Sequence, residues 1–128
     1  MPDNHVFEYA IVRVVPRVER EEFINVGVIL YCKPLRFLQA LFTIDEQRLL
    51  SFYPELDLED IRCHLRAFEH ISSGHPDGGP IAALDLPSRF RWLTAKRSTV
   101  LQTSGVHPGL CEDAGETLKK LHQQLIVS

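Results

Sequence analysis

Residues 23–33 read FINVGVILYCK, and this stretch decides the fold. Apolar side chains recur at every second position, which is the period of a strand that packs one face against a core. β-Branched and aromatic residues are frequent in the stretch, and they also favour a strand. We therefore predict a strand over residues 23–33 with five apolar side chains on one face: Ile24, Val26, Val28, Leu30 and Cys32.

The segments on either side have the same character. Residues 5–16 are rich in β-branched and aromatic types and end at Pro16, and residues 37–44 alternate between apolar and polar. Residues 17–22 and 33–36 are too short to form a crossover, so they favour antiparallel pairing of consecutive strands. The sequence therefore predicts a three-stranded meander. One face of its third strand is expected to carry Leu38, Ala40, Phe42 and Ile44.

Two helices are predicted after the strands. Thr43-x-x-Glu46 has the pattern of a capping box and would open a short helix through residue 51. Asp57 is a suitable N-cap for a second helix that ends near Gly74. The spacing of its apolar side chains places Leu58, Ile61, Leu65 and Phe68 on one stripe.

The second half of the chain has weaker patterns. Residues 74–80 hold three glycines and two prolines and are expected to form an exposed loop. Residues 81–94 are ambiguous, although Phe90 and Trp92 alternate as in a short extended piece. We expect a strand within residues 98–103, a turn-rich link over 105–109, and a last helix opened by Asp113-x-x-Glu116. The buried edge of that helix is expected to be Leu118, Leu121 and Leu125.

Strands followed by helices indicate the α+β class, with an antiparallel β-meander sheet and helices packed on one face. The 128 residues fit a single domain over 1–128, and 45% hydrophobic with 24% charged residues is ordinary for a globular protein. These values exclude a disordered chain, a collagen, a coiled coil and a disulfide scaffold.

The same composition bears on location and partners. Three cysteines at wide spacings suggest neither a disulfide framework nor a zinc ribbon, and no signal peptide or membrane-spanning run is present. We expect a cytoplasmic protein that does not enter a membrane. A formal net charge of −3 gives no general attraction to nucleic acid.

Residues 9–16 read YAIVRVVP and residues 20–28 read REEFINVGV. This part resembles a bacterial family of unknown function, domain of unknown function 3037, with the pattern Y-x-x-x-R-x-x-P, a charged loop, and E-F-x-N-x-G-V. The matching residues are Tyr9, Arg13, Pro16, Glu22, Phe23, Asn25, Gly27 and Val28. Glu21 departs from the glycine that is common at its position. Residues 89–92 and 98–103 are similar to the family's second half. The resemblance implies no activity, but it implies a partner, a kinase-like protein encoded beside members of the family.

The first candidate site lies on the predicted hairpin. If Arg13 faces Asn25, then Ile11 faces Gly27, Tyr9 faces Ile29, and Thr43 lies beside Asn25. A guanidinium, an amide and a hydroxyl in a row could bind a carboxylate or a phosphate. The alternative, which we favour, is that these polar side chains simply lie on the solvent-exposed face of the sheet, with Gly27 at a bulge. Glu22 lies in the loop near Arg17 and Arg20, where a surface ion pair is the ordinary outcome.

The second candidate site is a basic cluster with interleaved aromatic residues. Basic and aromatic side chains together are typical of a surface for single-stranded nucleic acid. Burial of the aromatic residues is the favoured alternative, and the cluster could also complement the acidic region of residues 45–60. The candidates are Arg89, Arg91, Trp92, Lys96 and Arg97.

Signatures of chemistry are absent from the sequence. The six histidines form no metal-binding pattern, and there is no nucleophile elbow, P-loop or dinucleotide fingerprint. We expect no cofactor, and the lack of catalytic signatures favours a protein that is not an enzyme.

Three hypotheses for the function remain. The first is a module that binds another protein, with homodimer formation through a free sheet edge as one form of it. A nucleic-acid-binding protein or small nuclease is the second. An enzyme using Tyr9, Arg13, Glu22 and His107 has the least support.

Overall fold

A computed structural model describes residues 4–127 and contains five strands and five α-helices. Short 3₁₀ turns occupy Val18–Arg20 and Pro76–Gly78, and a π-helical turn occupies Gln123–Val127. No helix in this part of the chain has both the length and the apolar composition that a membrane span needs. The strands are β1 (His5–Val14), β2 (Ile24–Cys32), β3 (Phe37–Phe42), β4 (Leu101–Thr103) and β5 (His107–Cys111). The helices are α1 (Glu46–Phe52), α2 (Leu58–Ser73), α3 (Gly79–Ala82), α4 (Leu86–Thr94) and α5 (Ala114–His122).

All five strands belong to one antiparallel sheet in the order β3, β2, β1. β4 and β5 follow each other along the remaining edge of β1, where β4 pairs with Val12–Val14 and β5 with His5–Tyr9. The meander and the α+β class are confirmed. The expectation of a turn-rich link over 105–109 is wrong, because residues 107–111 form β5. Pro108 and Gly109 are typical of turns, so the sequence does not indicate this strand, but a strand at a sheet edge tolerates proline.

A β-bulge divides β2 into two halves. Val12 pairs with Gly27 and Arg13 pairs with Asn25, so Val26 is an extra residue in β2. The extra residue turns the side chains that follow it to the opposite face. The prediction that β2 has five apolar residues on one face is therefore wrong. One core takes Ile24, Val26, Ile29 and Tyr31, and the other takes Val28, Leu30 and Cys32.

Helices cover both faces of the sheet. α1, α2, α3 and α4 pack on one face, with Ile61 and Leu49 almost fully buried there. α5 and the π-helical turn pack on the other, with Leu118 and Ile126 buried. The expected one-sided packing holds for α1 to α4 and fails for α5. A strand buried on both faces reads as a continuous apolar run, and residues 28–32 of β2 have that character.

Caps at the helix starts agree with the sequence in most cases. The side chains of Asp57 and Asp113 accept the backbone N–H groups of Asp60 and Glu116, as predicted for α2 and α5. α1 differs, because Asp45 caps it in place of Thr43.

Three segments of the second half of the chain depart from expectation. Residues 86–94 form α4, so the extended reading of Phe90 and Trp92 is wrong. Phe90 is buried, while Trp92 is 37% exposed. In α5 the π-helical turn adds a residue to the last turn, which leaves Leu125 exposed and buries Ile126. The predicted 74–80 loop is partly helical, since it contains the second 3₁₀ turn and the start of α3.

Candidate binding surface at the hairpin end of the sheet

The end of the sheet where β1 runs into β2 is called the hairpin end. Arg13 and Asn25 face each other there, which is the register assumed for the predicted hairpin. Gly27 lies at the bulge, in agreement with the favoured alternative. A Cβ on Gly27 would lie 2.7 Å from the Leu41 carbonyl oxygen, so glycine allows β3 to approach this closely.

The rest of the predicted row is shifted by the bulge. Tyr9 faces Leu30 in place of Ile29, and Ile11 faces Val28 in place of Gly27. Thr43 donates its backbone N–H to the carbonyl of Val26 at 2.8 Å, one residue from the predicted neighbour Asn25. The predicted row is therefore reduced to the cross-strand pair of Arg13 and Asn25.

The guanidinium of Arg13 lies over an aromatic ring. Its Cζ is 3.8 Å from the ring centroid of Phe23, and Phe23 is 42% exposed. Within residues 4–127, the guanidinium donates no hydrogen bond, and its buried Nε is without a partner. Partial burial lowers the pKa of Arg13, because it removes water from the charged form. Oδ1 of Asn25 is likewise buried and unbonded.

Glu22 borders a cleft at the hairpin end. This cleft encloses about 410 Å³ and lies between the β1–β2 loop and the segment after α1. Phe52 and Tyr53 give it aromatic surface. Its charged lining residues are Arg17, Arg20, Glu22 and Glu55.

Three of these four charged side chains are already in ion pairs. Glu22 forms an exposed ion pair with Arg20 at 2.7 Å, as expected from the sequence. Arg17 is paired with Glu19, also at 2.7 Å, and the carboxylate raises the pKa of Arg17. The sequence analysis missed Phe52 and Tyr53, since an aromatic pair before a proline was taken only as the end of a helix.

Tyr9 lies away from this surface. Its ring is half-buried on the α5 face, 5.3 Å from the imidazole of His107. Arg13 is four residues further along β1, which is about 13 Å in a strand. Glu22 is paired with Arg20 in the loop beyond. The residues of the enzyme hypothesis therefore do not converge on one pocket.

The basic cluster is divided between interior and surface. Arg89 is buried, and its Nη1 donates to the carbonyl oxygens of Ile71 and Ser72 at 3.1 Å each. It therefore satisfies acceptors that the end of α2 leaves free. The guanidinium of Arg97 lies 4.0 Å from the ring centroid of Trp92 and donates to the backbone carbonyl of the same residue. Arg91 and Lys96 are exposed and lie within four residues of Trp92 in the sequence.

The acidic region does not neutralise this cluster. Glu59 pairs with Arg62 and Arg66, and Asp60 lies 3.5 Å from His64, so these carboxylates are matched within α2. Complementarity between the acidic region and the basic cluster is thus not formed by these groups within the described chain.

The part of the chain that carries both candidate surfaces matches one known family. The model of this family, described as "Protein of unknown function (DUF3037)", aligns with residues 9–126. The chain belongs to this family. The resemblance drawn from residues 9–28 is thereby confirmed, and the match covers the hairpin end and the basic cluster of this DUF3037 protein. No curated protein and no solved structure matches it.

Proposed function

We propose that this protein is a small module that binds another protein, and that the hairpin end is its partner-binding surface. The observation that carries the proposal is the guanidinium of Arg13, which is stacked on a half-exposed ring and donates no hydrogen bond within residues 4–127. A bound partner would supply the missing acceptors.

The chemistry of such a surface favours a carboxylate from the partner. Charge-assisted hydrogen bonds from a guanidinium to a carboxylate are among the strongest polar contacts, and arginine and aromatic residues dominate the energetics of interfaces. Stacking on Phe23 holds the Arg13 fork in one orientation before binding, which reduces the entropy lost on association. The cleft with Phe52 and Tyr53, which Glu22 borders one residue before Phe23, has room for an anchoring side chain.

The partner that we propose is the kinase-like protein implied by the family resemblance, in a bacterial cytoplasm. Cysteines that are all unpaired agree with a reducing compartment. A second copy of the chain is the other partner to consider, because within residues 4–127 β3 is bonded on one side only and leaves a strand edge free.

Affinity capture at native expression tests this proposal. We expect the wild-type chain and an Arg97→Ala control to retain one stoichiometric partner protein, and Arg13→Ala to lose it. Arg97→Ala is a matched control, because it also removes a guanidinium from an aromatic ring. Recovery of the bait alone, or equal recovery with all three chains, would refute the proposal. A self-complex would assign the surface to homodimer formation only if Arg13→Ala also dissociates it.

Nucleic-acid binding is the second candidate, and it is favoured because Trp92, Arg91 and Lys96 are all exposed. It ranks lower because Arg89 is buried and Arg97 is held by Trp92. Single-stranded oligonucleotides that quench Trp92 fluorescence, with an affinity that falls steeply with salt, would support it. An unchanged emission at low salt would exclude it.

A further inference from the structure

The end of α2 brings together two histidines that lie five positions apart. Gly74 has a φ of 74°, in the left-handed region, and ends the helix. The N–H of His75 donates to the carbonyl of His70 at 2.8 Å, and the N–H of Gly74 donates to that of Ile71 at 3.2 Å. This pair of bonds defines a Schellman motif, in which the side chains at the positions of His70 and His75 meet. The two imidazole rings stack with centroids 4.7 Å apart.

A carboxylate completes the cluster from the next turn. Asp77 lies in the 3₁₀ turn after His75, and its Oδ2 is 3.7 Å from Nδ1 of His75. Ligand atoms from His70, His75 and Asp77 all lie within 4.8 Å of one another. His75 and Asp77 are exposed and His70 is half-buried, so an ion could reach all three.

We propose that His70, His75 and Asp77 bind a divalent transition-metal ion, for which Zn²⁺ is the best fit. Imidazole and carboxylate are ligands that Zn²⁺ accepts, and three protein ligands with one water complete a tetrahedron. Bonds of about 2.1 Å place tetrahedral ligand atoms about 3.4 Å apart. Nδ1 of His75 and Oδ2 of Asp77 are near that spacing at 3.7 Å.

Binding requires small and inexpensive rearrangements. Nδ1 of His75 now accepts the backbone N–H of Asp77 at 3.0 Å, and the ion would take this lone pair. Asp77 is exposed, so water can replace the lost acceptor. The stacked rings differ by 24° in plane, and the imidazole of His70 must turn about its side-chain bonds to aim a nitrogen at the same ion.

The backbone that carries the three ligands is already held in place. Besides the Schellman bonds, the N–H of Gly78 donates to the carbonyl of His75 at 2.8 Å. A Cβ on Gly78 would lie 2.7 Å from Cβ of Ala82 and 3.1 Å from the backbone carbon of His70, so this turn packs tightly against both helices. A fixed backbone reduces the entropy that the ligands lose on binding. The ion would tie the end of α2 to the turn that leads into α3.

Titration of the full chain, free of any affinity tag and treated with a chelator, tests the site. We expect one equivalent of Zn²⁺ to bind by calorimetry, and Co²⁺ to give the visible absorption of a tetrahedral site. His75→Ala, Asp77→Ala and His70→Gln should each weaken binding by about tenfold or more. Circular dichroism of each variant checks that it is folded.

His64→Ala is the matched control. His64 lies 3.5 Å from Asp60, so it belongs to an exposed histidine–carboxylate pair without a third ligand. We expect this variant to bind Zn²⁺ as the wild type does. Absence of a saturable site in the wild type, or equal weakening by His64→Ala, would overturn the proposal. Neither result bears on the hairpin end, because none of the ligands belongs to that surface.

Discussion

Arg13 and Arg89 each have a buried Nε without a hydrogen-bond partner, yet the two arginines stand in opposite situations. Nη1 of Arg89 donates to two carbonyl oxygens at the end of α2, so its charge is used inside the fold. The guanidinium of Arg13 lies over Phe23 and donates to no group in the described chain.

The difference shows how position decides the use of the same side chain. The last carbonyls of a helix carry partial negative charge and need donors, so a guanidinium that reaches them stabilises the fold. Among residues 4–127, Arg13 at the hairpin end donates to no such carbonyl. Its hydrogen-bonding capacity is left for a molecule outside the chain, and this is why we place the partner surface there.

Replacing Arg13 and Arg89 in turn should give the largest difference in the free energy of unfolding. Arg89→Met should lower the free energy of unfolding by about 2–4 kcal/mol, because it removes two charge-assisted hydrogen bonds and leaves the buried carbonyl of Ser72 without its donor. Arg13→Met should cost about 1 kcal/mol or less, the scale of an exposed cation–π contact. Urea unfolding followed by Trp92 fluorescence measures both.

Arg91→Met is the control for this pair, since Arg91 is exposed on the same helix as Arg89. Its effect should stay within about 0.5 kcal/mol. If Arg13→Met destabilised the protein as much as Arg89→Met, Arg13 would be a structural residue and the contrast would fail.

Gly27→Ala tests whether the close approach of β3 to β2 at the hairpin end limits which residue can stand there. A Cβ at this bulge meets the backbone oxygen of Leu41, which cannot move without shifting β3, so we expect a loss of about 1–3 kcal/mol in unfolding free energy. Gly105→Ala is the matched control, because nothing lies within 4 Å of its Cβ. Equal thermal midpoints for the two variants would show that the close approach at Gly27 is not a constraint.

The smallest expected effect is on the pH dependence of stability, through Asp85 at the start of α4, the helix that carries Arg89. Hydrogen bonds from Ser88, and then the nearby positive charges, lower the pKa of the Asp85 carboxyl in the folded chain. A folded-state pKa below the unfolded one gives stability that is present above the unfolded pKa and is lost as the pH falls through the folded pKa.

Asp85→Asn keeps an N-cap but cannot titrate, so it isolates this contribution. We expect the wild type to be more stable than Asp85→Asn at neutral pH. The difference between their urea midpoints should decrease as the pH is lowered. Other carboxylates titrate in both proteins and cancel. A gap that does not change with pH would mean that the charge of Asp85 contributes nothing.

Local patterns in the sequence were sufficient for much of this protein. Alternating apolar residues located β1, β2 and β3, because a strand repeats its faces every two residues whatever it pairs with. Asp57 and Asp113 located two helix starts, because a cap acts within a few residues of itself. The pattern from Tyr9 to Val28 placed the chain in its family.

Tertiary structure alone decided the rest, because each of these features depends on groups that are distant in sequence. The bulge at Val26 exists only in the pairing of β1 with β2, and it changed which apolar residues share a core. β5 is a strand because β1 offers it a free edge, and α5 lies on the second face because the bulge left that face apolar. Arg89 is buried because α4 packs against the end of α2, while the fold gives Arg13 no hydrogen-bond acceptor among residues 4–127.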